Sequence, residues 1–82
     1  MILTVEISMY PLVENYKTPI QGFIDKLNSY TNLRINTTPT ATMVVGDYES
    51  VMLMLTEMLL WSWQTFGKAV YVTKFLPDYD PE

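Results

Sequence analysis

The segment Ile2 to Met9 alternates with period two: Leu3, Val5, Ile7 and Met9 fall on one side, Ile2, Thr4, Glu6 and Ser8 on the other. Only an extended strand with one buried face sorts side chains this way, so the chain must build a sheet and cover one side of it. Tyr10-Pro11 closes the strand, because proline has no N–H for the ladder and restricts the residue before it. The cover follows at once. Ile20, Phe23, Ile24 and Leu27, with Tyr30 beyond them, recur at three and four, which predicts an amphipathic helix. Its start is read at Thr18-Pro19-Ile20-Gln21, with Thr18 as cap, Pro19 at the first helical position and Gln21 completing a capping box.

Two short runs of strand character come next, Leu33 to Thr37 and Ala41 to Val45, around Thr38-Pro39-Thr40. They predict a hairpin whose proline leaves the turn type open. Asp47 is expected to cap a second helix over Tyr48 to Phe66, with Gly67 ending it. A last strand is expected over Lys68 to Leu76, and the tail from Pro77 to Glu82 is expected to fray. The order β-α-β-β-α-β folds most simply as a ferredoxin-like α+β sandwich, a four-stranded antiparallel sheet with two helices on one face. Right-handed crossovers place the first and third strands in the centre. The predicted organisation is one domain over residues 1–76 and an acidic tail over 77–82.

At 82 residues the core is small, and such domains usually need a staple. The chain has no cysteine and no histidine, which removes disulfides, thiolate nucleophiles, imidazole bases and nearly all transition-metal sites. Oligomerisation is the staple that remains. Five basic residues stand against nine acidic ones, a net charge of −4, and the basic ones are scattered. A nucleic-acid partner would need a basic stripe, so none is expected. Glu6 interrupts the opening apolar stretch and no run of about 18 apolar residues occurs, so neither a signal peptide nor a membrane span is expected, and the cytoplasm is the expected compartment.

Two features exceed what a lone domain needs. On a helical wheel of the second helix, Val51, Met52, Leu55, Met58, Leu59, Ser62 and Phe66 are taken to face the sheet, yet the opposite arc holds Leu53, Met54, Leu60 and Trp61. Those four are read as an oligomer interface, or else as a cover for the first helix or the tail. The second feature is the far face of the sheet. With Leu3, Val5 and Ile7 inward, Thr4, Glu6, Ser8 and Tyr10 point away, and Arg34, Asn36, Thr38, Thr40, Thr42, Tyr71, Thr73 and Phe75 are assigned to the same side. A face of hydroxyls and aromatics with one carboxylate is either a solvated or sheet-stacking surface or a small-molecule site.

The chain lacks a glycine-rich phosphate loop, a Ser-His pair and converging carboxylates, so no enzymatic activity, cofactor or metal is expected. A third possibility is a cofactor-independent enzyme using Glu6 as base.

Val5-Glu-Ile-Ser-Met-Tyr-Pro-Leu12, the pattern Ile-x-x-Phe-Ile-x-x-Leu over Ile20 to Leu27, and the stretch Thr37 to Asp47 ending Thr-Met-Val-Val-Gly-Asp resemble the YkoF-related family. Its members are thiamine- or hydroxymethylpyrimidine-binding proteins and their uncharacterised relatives. The resemblance implies a ferredoxin-like fold, sheets stacked in dimers or larger homo-oligomers, no catalysis, and a thiamine or pyrimidine site at or near the sheet face. By position, Ser8 and the polar stretch before Gly46 match the family's ligand-adjacent segments. The chain departs from the family where Ala41 and Met43 interrupt Thr40 and Thr42, and in being a single unit where well-known members carry two. The expected roles are Glu6 accepting from an amine, Ser8, Thr40 and Thr42 bonding ring atoms, and Tyr10 or Tyr71 stacking. The competing expectation is an interaction protein whose sheet face serves only subunit packing.

Overall fold

A computed structural model describes residues 1–81. The elements run β1 (Ile2–Pro11), α1 (Lys17–Leu27), β2 (Arg34–Thr37), β3 (Thr42–Asp47), α2 (Tyr48–Phe66) and β4 (Ala69–Pro77). The sheet order is β2-β3-β1-β4, every pair antiparallel, so the first and third strands are central as the crossover rule requires. This is the ferredoxin-like α+β sandwich. No helix among the described residues is long and apolar enough to cross a membrane.

Register decides which side chains meet. Val5 stands opposite Val44 on one side and Phe75 on the other, and Ile7 lies between Thr42 and Thr73. Leu3, Val5 and Ile7 are buried with Phe23, Leu27, Val44, Val51, Met54, Leu55 and Met58, which form the core between sheet and helices. The alternation of β1 therefore turns its odd positions inward and Glu6 outward. The hairpin reverses the parity, because Thr37 pairs with Thr42. Arg34 and Asn36 point away from the helices as expected, while in β3 the outward positions are Met43 and Val45.

Four far-face assignments are thereby corrected. Thr42 sits opposite Ile7, and Tyr71, Thr73 and Phe75 sit opposite Met9, Ile7 and Val5, so all four lie on the helix side. The far side of β4 is instead Val70, Val72, Lys74 and Leu76. Helix α2 is also rotated from the expected wheel. Val51, Met54, Leu55, Met58 and Ser62 are its buried positions, whereas Met52 and Leu59 are exposed. Met54, read as an interface residue, is a core residue with no exposed surface.

The helix termini follow local chemistry. Asp47 caps α2 by accepting from the Glu49 N–H at 3.2 Å, and Gly67 ends it at φ +87°, a conformation that costs a side-chain-bearing residue strain. Helix α1 begins one residue before Thr18, and its first turn has no side-chain cap. Asn15 donates to Thr18 Oγ1 instead, and Gln21 donates to Asp25 Oδ1.

Residues 78–80 of the tail are tied down. Asp78 turns through φ +58° and donates its N–H to Ile2 O, Thr4 Oγ1 donates to Tyr79 O, and Arg34 pairs with Asp80. Residues 78–80 thus cross the far face along the row Thr4, Val45, Arg34, which explains why Thr4 and Val45 are buried on a side with no helices. The last tail residue, Glu82, lies outside the described residues.

Candidate functional site

A cavity of about 470 Å³ opens at one end of the sandwich, between β1, α1 and the β2–β3 hairpin. Ile7, Met9, Tyr10 and Pro11 line it from β1, Val13 and Tyr16 from the following loop, Ile20, Phe23 and Ile24 from α1, and Thr37 to Thr42 from the hairpin. Its walls are aromatic and aliphatic, its polar side-chain groups are hydroxyls, and among the described residues no acidic or basic side chain lines it. Tyr10 and Tyr16 are half-exposed at the rim. Thr42 is buried, with its Oγ1 3.4 Å from Thr37 Oγ1, so two hydroxyls stand side by side on the inner wall.

The hairpin is held in place by its own side chains. Thr38 Oγ1 donates to Ala41 O at 3.1 Å and accepts from the Ala41 N–H at 3.2 Å, reinforcing the backbone bond from the Thr38 N–H to Ala41 O at 2.8 Å that closes the turn around Pro39. Ser8 Oγ donates to Thr40 O at 3.1 Å, fastening the tip of the hairpin to β1.

Of the expected ligand residues, Tyr10, Thr40 and Thr42 line this cavity together, and Glu6, Ser8 and Tyr71 do not. Ser8 supports the wall through Thr40. Tyr71 lies behind it: its ring packs against Phe23 at 5.6 Å with planes tilted by 41°, and its hydroxyl donates to the buried Ser62 Oγ. Glu6 sits on the far face 3.6 Å from Lys74, a partly exposed ion pair of the kind worth little stability. The sequence reading missed Tyr16, Phe23 and Thr37. The signal for Phe23 was its place at the sheet end of an apolar helix stripe, and that for Thr37 was its pairing with Thr42 across a short hairpin.

The expected interface residues are scattered. Leu53 and Leu60 are more than half exposed on the outer side of α2, whereas Trp61 packs on the core beside α1, edge-on to Phe66 and under the Lys26 ammonium at 5.6 Å. Below Trp61, Tyr30 donates to Glu57 at 2.7 Å. Burial first, then that hydrogen bond and the Glu57 charge, push the Tyr30 hydroxyl up to about 12.

No family model matches the chain, and no curated protein does. Solved structures do. A Thermotoga maritima protein described as a "putative thiamine biosynthesis/salvage protein" is 26% identical, with a TM-score of 0.84 over 98% of this chain and 85% of its own. A Streptococcus pneumoniae protein matches at 21% identity and TM-score 0.87, over 96% of this chain and 89% of its own. A domain of unknown function from Bacillus cereus, DUF77, matches at 11% identity and TM-score 0.74, over 99% of this chain and 78% of its own. The chain shares the fold of these proteins from end to end.

Proposed function

We propose that the chain is a non-enzymatic binding protein of the YkoF-related kind, holding thiamine or its hydroxymethylpyrimidine moiety in the cavity between α1 and the β2–β3 hairpin. The observation that carries this reading is the lining, which is aromatic and hydroxylated without a charged group. The volume of about 470 Å³ lies within the range of small-molecule sites. A flat aminopyrimidine would find π faces at Tyr10, Tyr16 and Phe23 and hydrogen-bonding partners at Thr37 and Thr42. A thiazolium ring carries a spread positive charge that the same aromatic faces attract. The lining holds no ionised acid or base, which favours holding a ligand over transforming one. The likeness to the Thermotoga maritima protein supports the same ligand class. In this reading the site has moved from the open sheet face to the end of the sandwich, and Glu6 has no part in it.

Thermal unfolding and calorimetric titration of the full chain test the reading. Thiamine and hydroxymethylpyrimidine should stabilise it, by about 2.7 kcal/mol at a hundredfold excess over the dissociation constant. The pyrophosphate ester of thiamine should bind more weakly, since no cation lines the cavity to meet its charge. Ala41→Phe, which places a ring in the cavity, should abolish the effect while the free chain still melts cooperatively. A flat titration with all three compounds, or undiminished binding by the Ala41 variant, would overturn the assignment.

A second reading is favoured by the exposed Val70, Val72 and Leu76 on the far face: an oligomeric interaction protein whose sheet serves only subunit packing. The same titration separates the two, because in that case no metabolite changes stability.

A further inference from the structure

The polar groups around the cavity are of two kinds. Backbone groups have a fixed sense, donor or acceptor, and those at the hairpin tip are spent on the hairpin itself. Thr40 O accepts from Ser8 Oγ, Ala41 O accepts from the Thr38 N–H and from Thr38 Oγ1, and the Ala41 N–H donates back to Thr38 Oγ1. The polar side-chain groups of the lining are hydroxyls, which donate or accept by turning about one bond. Two of these stand together. Thr42, buried on β3, and Thr37, exposed at the end of β2, pair across the hairpin with their Oγ1 atoms 3.4 Å apart, and either oxygen can be the donor.

We infer that the Thr37–Thr42 pair reads the edge of a flat nitrogen heterocycle without reading its sense, so that the site holds aminopyrimidines and the corresponding oxo compounds alike. The inference rests on the ligand class proposed above and widens it to the deaminated form. An aminopyrimidine presents two neighbouring edge atoms, the exocyclic N–H donor and a ring-nitrogen acceptor. Against the pair they close a ring of hydrogen bonds. The amine donates to one hydroxyl, that hydroxyl donates to the second, and the second donates to the ring nitrogen. In the oxo compound the ring nitrogen carries the proton and a carbonyl oxygen stands where the amine was. The same ring of bonds then runs backward: the ring N–H donates to the second hydroxyl, which donates to the first, which donates to the carbonyl oxygen. Two O–H bonds turn, and the number of hydrogen bonds is unchanged.

A carboxylate in the same place would behave otherwise. It only accepts, so it would bond the amine and set its charge against the carbonyl oxygen of the oxo compound, which is how a fixed polar group discriminates between close analogues. Among the described residues the lining holds no such side chain, and that absence makes the site indifferent to the exchange. The pair still rejects an edge that lacks one partner. A compound of the same outline with a methyl group in place of the amine leaves one hydroxyl oxygen without its donor, and the ring of bonds does not close. The class of ligand is thus set by two adjacent edge atoms of opposite character, in either order.

Calorimetric titration of the full chain with hydroxymethylpyrimidine, its oxo counterpart and the analogue carrying methyl in place of the amine tests the inference. The amino and oxo compounds should bind with dissociation constants less than about tenfold apart, and the methyl compound about five- to tenfold more weakly than the amine. Thr37→Val, at an exposed position, and Thr42→Val, which keeps the branched shape, should each weaken the amino and oxo compounds by the same factor, about tenfold. A larger preference between the amino and oxo compounds, a methyl compound bound as tightly as the amine, or a threonine variant that weakens only one of the two would overturn the inference and leave the ligand site standing. Absence of binding by both the amino and the oxo compound would overturn the ligand class itself, and the inference with it.

Discussion

Changing Tyr71 to phenylalanine removes one oxygen and leaves Ser62 Oγ, a buried group with no exposed surface, without the donor that satisfies it. The ring keeps its contact with Phe23, so the change isolates the hydrogen bond. A buried acceptor stripped of its partner costs about 1–3 kcal/mol, and the tyrosine hydroxyl, being only part-buried, returns little to solvent on unfolding. A loss of about 1.5 kcal/mol is expected, or on the order of 6–12 °C in melting temperature for a domain of this size. Ser62→Ala should cost less, because alanine is the better helix former by about 0.5 kcal/mol and removes a buried polar atom. In the double variant neither group is left unpaired. Its stability should lie above that of Tyr71→Phe alone, with a coupling of about 1 kcal/mol in a double-mutant cycle measured by urea unfolding. A neutral Tyr71→Phe variant with no coupling would refute the reasoning, for it would mean that the hydroxyl faces water and that β4 presents its aromatic side outward.

The Tyr30 hydroxyl, pushed up to about 12, is protonated more firmly in the folded chain than in the unfolded one. Stability from this group is present below pH 10 and is lost as pH rises from 10 to 12, so the difference in stability between the native chain and Tyr30→Phe should shrink across that window and be flat below it. A constant difference from pH 8 to 12 would contradict the Tyr30–Glu57 arrangement. At Gly22, a Cβ would stand 2.4 Å from Phe66 Cζ. Crowding of about 1–3 kcal/mol outweighs a helix-propensity gain of about 1 kcal/mol, so Gly22→Ala should destabilise the chain, and the sign should reverse in a Phe66→Leu background. Stabilisation in the native background would show that the helices are not in close contact there.

Element order was legible because the hydrophobic period switches from two to three-and-four and back, with Pro11, Gly46-Asp47 and Gly67 as punctuation. The sheet order then follows from crossover geometry, since few arrangements of these elements are allowed. Face assignment was legible in β1, where a carboxylate at Glu6 contrasts with Val5 and Ile7, and in β2, where Arg34 and Asn36 flank Ile35. In β4 both alternating sets are acceptable on either face, Val70 and Val72 against Tyr71, Thr73 and Phe75. What decides is remote: the register with β1 and the presence of Ser62 above Tyr71. Thr42 was misplaced for a related reason, because the hairpin pairs an odd position with an even one and so inverts parity between β2 and β3.

Helix α2 is apolar on most of its circumference, so hydrophobicity leaves its rotation undetermined. The polar positions Glu49, Thr56, Glu57 and Gln64 hold the usable information. Their arc is the exposed one and sets Val51, Leu55, Met58 and Ser62 opposite it, while Met52, Met54 and Leu59 fall at its flanks, where the wheel does not separate the buried Met54 from the two exposed residues. The cavity was beyond the reach of any periodicity. It is lined by segments distant in the chain, β1, α1 and the β2–β3 hairpin, and depends on how they pack rather than on any one pattern. Even so, Tyr10, Thr40 and Thr42 were singled out for their chemistry and do come together in it.

The central claim is the location and class of the ligand site, and amide chemical-shift mapping of the full chain with hydroxymethylpyrimidine tests it most directly. Saturable shifts concentrated at Tyr10, Tyr16, Ile20 and the hairpin from Thr37 to Thr42, with Glu6, Val72 and Lys74 unmoved, are the predicted result. Shifts centred on Glu6 and its neighbours on the open face, or none at saturating ligand, would contradict it.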